Sequence, residues 1–177
     1  MKPARPRFAL VERTADDLLR RSGVVGPAVP VAELIATQGI QLLYPNLGKD
    51  ASGVLVRKDG STVIGVNRAH AKTRQRFTAA HELGHALLHA GTDVHHDASF
   101  QVNLRSDLSS QGIDPEEIEA NHFAACLLMP RSFLEADPMA FYVDAEDATA
   151  VATLARSYGV SAHAMSLRLA RLTRGKM

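Results

Sequence analysis

One cysteine, Cys126, is all the thiol chemistry in this chain of 177 residues. A single thiol excludes an intramolecular disulfide and any zinc site built from several cysteines, so a metal here must be held mainly by nitrogen and oxygen donors. Charge of one sign is missing too: 20 Lys and Arg stand against 19 Asp and Glu, a net +1, with no overall field to mark a nucleic-acid or membrane-surface protein. No segment approaches the roughly 18 uninterrupted apolar residues of a membrane span. Lys2, Arg5 and Arg7 precede only Phe8-Ala9-Leu10-Val11, too short for a signal-peptide core, so the expected location is cytoplasmic. Internal repeats and low-complexity tracts are absent. What is present, 46% hydrophobic and 22% charged residues, is the balance of one globular domain, or of a domain with a small appendage.

Periodicity predicts the elements. Helical spacing of apolar residues marks Glu12–Ser22, which ends at Gly23, and Val31–Gln38, which lies between Pro30 and Gly39. Short aliphatic runs at Ile40–Tyr44, Gly53–Arg57 and Thr62–Val66 predict a three-stranded antiparallel sheet, with a hairpin turn at Lys58–Ser61. A long helix is expected over Lys72–Ala90, then a polar loop over Thr92–Ile113 holding at most a short strand at Phe100–Leu104. Asp114-Pro115-Glu116-Glu117 has the form of a helix start, with Asp as cap, Pro first and Glu third. That helix should run to Met129, before Pro130, and two more helices, Glu146–Tyr158 and Ser161–Leu172, meet at Gly159-Val160. The expected class is α+β, with residues 1–145 as the core and 146–177 as a C-terminal helical, helix-turn-helix-like extension of the same domain.

Chemistry concentrates in Phe77-Thr78-Ala79-Ala80-His81-Glu82-Leu83-Gly84-His85-Ala86-Leu87-Leu88-His89. Residues four apart on a helix share a face, about 6 Å apart along the axis, so His81 and His85 can reach one metal ion. Glu82, about 100° further round, can touch a water on that ion without being forced to ligate it. With eight histidines in the chain, roughly 0.016 such His-Glu-x-x-His patterns arise by chance, so coincidence is a poor account of one placed inside a helical pattern.

Catalytic zinc keeps three protein ligands and one open position. The candidate third ligand is Glu117, at the start of the next predicted helix, with Asn121 one turn on as a partner for a ligand histidine. Glu117 can instead serve only the helix cap at Asp114. Glu116 and Glu119 are the competing carboxylates, about 100° and 200° round the helix from Glu117, so at most one of the three faces the metal squarely. His89 lies about 12 Å along the axis from His81, too far for all three histidines to share one tetrahedral ion. His95, His96 and Asp97 form an alternative ligand set on the loop. His70, His122 and His163 are expected at the surface or behind the ligands, and Cys126 in the core. Gly84, costly inside a helix by about 1 kcal/mol, implies a close neighbour.

The segments RFTAAHELGHALLH and EIEANHFAACLLMP, in this order, resemble the ImmA/IrrE family of zinc metallopeptidases. Looser features of the likeness run from Asp17-Leu18-Leu19 and Pro30-Val31 through the Gly53–Asn67 hairpin to Gly159-Val160-Ser161. The resemblance implies a gluzincin-like Zn2+ site with His81, His85 and Glu117 as ligands and Glu82 as general base. It implies hydrolysis of a peptide bond by metal-activated water, with a helix-turn-helix transcriptional repressor as the protein substrate and no membrane partner. An extended peptide is expected to add to an edge at Gly53–Val56 or Thr62–Val66, with Tyr142, Tyr158 or the polar loop stabilising the oxyanion.

A rival from another class comes from the C-terminus. Arg156, Arg168, Arg171, Arg174 and Lys176 follow the last acid, Asp147, around a Gly turn and a Ser cap. They would suit a DNA-binding or partner-binding regulatory module with a structural or degenerate metal site. The plainer alternative is that these helices pack on the core with their arginines solvated. A further variant is a toxin- or antitoxin-like protein that acts on one cognate partner.

Overall fold

The computed structural model describes residues 3–49, 51–89, 94–97, 114–143 and 147–174, the segment 94–97 by its backbone alone. Val11, Ala15, Leu18 and Leu19 recur at i, i+4, i+7 and i+8 and bury one stripe of α1 (Phe8–Arg21). The helix begins four residues before the predicted start, where the Arg7 backbone N–H donates to the Glu119 carboxylate at 2.7 Å. Periodicity is blind to an anchor 112 residues away. α2 (Val31–Thr37) follows Pro30 and buries Val31, Leu34 and Ile35.

The sheet has four strands in the order β1-β3-β2-β4: β1 (Gln41–Leu43), β2 (Gly53–Lys58), β3 (Ser61–Val66) and β4 (Val94–Asp97). The hairpin β2–β3 turns on Asp59 and Gly60, both at positive φ (50° and 77°). That is the turn whose twist matches paired strands, and glycine takes its second position without steric cost. Three expectations are corrected. β1 pairs with β3 in parallel, Gln41 opposite Val63, because the chain leaves β1 and enters β2 beyond the place β3 will fill. Alternation of side chains marks a strand but carries no direction. β4 falls inside the predicted loop and pairs antiparallel with β2, Gly53 opposite Asp97; Val-His-His-Asp lacks the aliphatic pattern that announces a strand. The possible strand at Phe100–Leu104 lies outside the described residues. β2 and β3 are therefore both interior strands, and the edges among the described residues are β1 and β4, which corrects the expected substrate edge.

The inner face of β2 and β3, with Gly53, Leu55, Ile64 and Val66 buried, lies against α3 (Lys72–Leu88). α3 is covered on all sides from Phe77 to His85, since α4 (Pro115–Leu128) packs on its other flank. Gly84 makes this possible: a β-carbon there would meet the Ala120 Cα at 3.2 Å and the Phe123 ring at 3.1 Å. The cap of α4 forms as the sequence predicts, Glu116 N–H donating to Asp114 Oδ1 at 3.1 Å with Pro115 at the first position.

α5 (Arg131–Ala136) and α6 (Pro138–Tyr142) lead to α7 (Ala148–Tyr158) and α8 (Ala162–Arg174). Leu154, Tyr158, Met165 and Leu169 join the same buried cluster as Leu83 and Phe123. Arg76 of α3 ties the α7–α8 turn in place, donating to the Gly159 and Val29 carbonyls at 3.1 and 2.9 Å. Among the C-terminal cations with described side chains, Arg168 and Arg171 lie against the fold. Arg168 is buried and donates to the Met129 carbonyl at 3.0 Å, and Arg171 stacks 4.7 Å over the Phe8 ring. No helix among the described residues is long and apolar enough to cross a membrane.

Candidate metal centre

α3 sets His81 and His85 one turn apart with their Nε2 atoms 3.0 Å from each other. The first turn of α4 brings Glu117 to them, Oε2 at 3.4 Å from His81 Nε2 and Oε1 at 3.2 Å from His85 Nε2. Both histidines are buried, while the Glu117 side chain keeps 29% of its exposure, so the three donors share one open side. Donors at zinc distances of about 2.0–2.1 Å and tetrahedral angles stand about 3.3 Å apart. The two Nε2 atoms at 3.0 Å, and the two Glu117 oxygens at 3.2 Å from His85 and 3.4 Å from His81, are contacts of that order. The donor set therefore fits a zinc ion, with two imidazoles and a carboxylate as three of the four ligands a tetrahedral ion takes.

The other ring nitrogens are engaged. Asn121, one turn after Glu117, holds its Oδ1 3.2 Å from His81 Nδ1. An amide oxygen only accepts, so the proton sits on His81 Nδ1 and the Nε2 lone pair faces the triangle. His85 Nδ1 lies 3.0 Å from His89 Nδ1. His89 Nε2 lies 2.9 Å from Glu119 Oε2, and Arg7 grips Glu119 through its backbone N–H, Nε and Nη2 at 2.7, 2.9 and 2.7 Å. Burial pushes the Glu119 carboxyl up, and the hydrogen bonds from Arg7 and His89 overcome it, holding the group at about 2.

Sequence reasoning weighed His89 and Glu119 only as metal ligands and passed over Arg7. The available signal was the i+4 ladder His81, His85, His89, which puts a third imidazole behind the second one. Glu119 points away from Glu117, as its angle round the helix implied.

Glu82 is fully buried beneath β2, and Gly53 is what admits it: a β-carbon on Gly53 would stand 2.5 Å from Glu82 Oε1 and 2.6 Å from Thr78 Cγ2. Two residues further along the same face of β2 comes Leu55, and two beyond that Arg57, whose Nη2 donates to the His85, Ala86 and His89 carbonyls at 3.0, 3.3 and 2.9 Å. A cation over the last carbonyls of α3 satisfies acceptors the helix cannot and complements its dipole.

The remaining candidates separate cleanly. His122, expected at the surface or behind the ligands, is buried and bonds Glu12 at 2.9 Å with Cys126 Sγ 3.6 Å away. Burial, then the nearby Arg171 and Arg168, drives this imidazole down to about 4, and burial pushes the Cys126 thiol up. These three donors also converge, but two arginines beside them disfavour a cation. His163 is exposed and His70 partly buried. The side chains of His95, His96, Asp97 and Tyr142 lie outside the described residues. Tyr158 is sealed in the core with its hydroxyl 3.3 Å from Asp137.

Residues 35–170 match the model of the IrrE N-terminal-like domain, a peptidase family. The chain belongs to the ImmA/IrrE peptidase family. Membership makes it a metallopeptidase-like protein of a metal-dependent family with candidate His and Glu donors in place. A solved structure described as a Mycobacterium tuberculosis transcriptional regulator is similar in fold, with a TM-score of 0.59 and 19% identity over 89% of this chain and 45% of that one. This ImmA/IrrE family chain thus spans less than half the length of that regulator. Among curated proteins, none matches it in sequence.

Proposed function

We propose that this family member is a zinc endopeptidase with His81, His85 and Glu117 as ligands. The observation that carries the proposal is the convergence of the two Nε2 atoms, 3.0 Å apart, with the Glu117 carboxylate, whose oxygens lie 3.2 Å from His85 and 3.4 Å from His81. Zinc bound there would polarise a substrate carbonyl and acidify water at the open corner. Glu82, next to His81 and sheltered by β2, takes the proton and returns it to the leaving amine. Asn121 holds the His81 ring in the ligating tautomer. The site is gluzincin-like, its third ligand being a glutamate from a later helix.

Family membership supports a protein substrate, and the regulator-like structural neighbour is compatible with one that is a helix-turn-helix transcriptional repressor. An extended segment of such a substrate would add to the β4 edge beside β2. We assign residues 146–177 to the same folding unit as residues 1–145, because α7 and α8 contribute to one buried cluster. The inward placement of Arg168 and Arg171 removes two of the cations that a DNA-binding role would use.

The test is elemental analysis of purified wild type, Glu117→Ala and Glu82→Gln, followed by mass spectrometry of a helix-turn-helix repressor incubated with each. Wild type and Glu82→Gln should carry zinc near one per chain, with hydrolysis in Glu82→Gln lower by about 10²–10⁴. Glu117→Ala should lose the metal. A Glu82→Gln protein that cleaves at the wild-type rate sinks the mechanism.

A further inference from the structure

The two ligand histidines are supported in different ways. Behind His81 stands one neutral amide, Asn121, on the helix that also carries Glu117. Behind His85 runs a chain of four residues from three parts of the sequence, His85, His89, Glu119 and Arg7, with every link between 2.7 and 3.0 Å. Its polarity is set from the far end. Glu119 accepts three bonds from Arg7 as a carboxylate, so His89 Nε2 donates to it, and the Nδ1 of a neutral His89 ring then accepts. The donor to that atom is His85 Nδ1–H, which leaves the lone pair on His85 Nε2 directed at His81 and Glu117. Arg7 also reaches the Leu88 carbonyl at 3.4 Å, beside the carbonyls that Arg57 takes. The segment before α1 is thereby fastened to the end of the helix that holds the ligands. The inner members are closed off: the Glu119 side chain has no exposure and that of His89 3%, whereas Arg7 keeps 41%.

We propose that His89, Glu119 and Arg7 are positioning residues that hold His85 in its ligating tautomer and orientation, so that an exposed arginine ahead of α1 sets the affinity of the buried metal site. The inference rests on the zinc reading above. Metal-ligand histidines depend on such partners, whose loss costs about 10- to 100-fold in affinity. A relay that surfaces at Arg7 is open to whatever engages that guanidinium, so a partner or modification that pulls Arg7 from Glu119 would loosen the metal without touching a ligand.

The experiment is the zinc dissociation constant, by competition with a chromophoric chelator, together with the visible absorption of the cobalt-substituted protein. Wild type is compared with His89→Leu, His89→Gln, Arg7→Met and Arg7→Lys. His89→Leu should weaken binding about 10- to 100-fold and alter the cobalt bands. His89→Gln, which can accept from His85 and donate to Glu119, should recover part of the loss. Arg7→Met should weaken binding several-fold and Arg7→Lys less; these surface substitutions keep the test alive where His89→Leu fails to fold. Arg131→Met, which removes the surface pair with Glu135, should change nothing. Wild type that holds zinc tightly while all four variants bind within twofold of it, with unchanged cobalt spectra, overturns the relay alone. Wild type that cannot hold zinc at all overturns the functional proposal and the relay with it.

Discussion

Gly53 lies directly on Glu82: a β-carbon at position 53 would stand 2.5 Å from the carboxylate oxygen Oε1, closer than any two non-bonded atoms of that kind can sit. The strand can cover the glutamate this closely only because the residue above it has no side chain.

Gly53→Ala should therefore displace Glu82 and Thr78 together, since a β-carbon there would stand 2.5 and 2.6 Å from their side chains and both are buried. Overpacking of this size costs about 1–3 kcal/mol. Peptide hydrolysis should fall at least tenfold while bound zinc stays near wild type, because His81, His85 and Glu117 are untouched. Parallel measurements of denaturant midpoint, metal content and cleavage rate separate these effects; full activity in Gly53→Ala would show that Glu82 does not depend on the strand above it.

Gly84→Ala sets two effects against each other. Alanine favours the helix over glycine by about 1 kcal/mol, but the new methyl meets the Ala120 Cα at 3.2 Å and the Phe123 ring at 3.1 Å. Backbone cannot rotate away and Phe123 is wholly buried, so the contact should win, with a net loss of about 1–2 kcal/mol. Because α4 carries Glu117, any outward shift should also weaken zinc. Calorimetry of the metal-free protein and chelator competition read the two consequences separately; a stabilised variant with unchanged zinc affinity would refute the close-packing account.

His122 supplies a pH dependence whose sign is fixed. Its ordinary value of 6.5 falls to about 4 in the fold, through burial first and then Arg171 and Arg168, against the opposing pull of Glu12. Between these values the unfolded chain binds a proton that the folded chain refuses. Its contribution is fully present above pH 6.5 and is lost as pH falls toward 4, by a few kcal/mol at most. Urea titrations of metal-free protein across that window should show wild type losing more stability than His122→Gln. Parallel slopes would place the low-pH loss elsewhere.

Much of the site is legible without the fold because its parts are local. His81, Glu82 and His85 lie within five residues, and one helix fixes their relative directions. Glu117 and Asn121 are legible as a pair one turn apart, although only contact between α3 and α4 brings them to the histidines. The helix announced by its cap at Asp114-Pro115 opens where expected. β1 and β4 show the opposite case, since strand direction and pairing depend on which segments the chain has already laid side by side.

The amino-acid sequence by itself determined the one-turn spacing of His81 and His85 with Glu82 beside them, the hairpin turn at Asp59-Gly60 and the glycines at 53 and 84, because each follows from backbone geometry within a few residues. Only the tertiary structure decided that Gly53 shelters Glu82, that Gly84 admits Phe123, and that Arg7, Glu119 and His89 line up behind His85. Apart from the i+4 step from His85 to His89, those relationships join residues 29 to 112 positions apart. Hydrogen bonds and close packing act over a few ångströms of space, and only the assembled core brings such distant residues within that range.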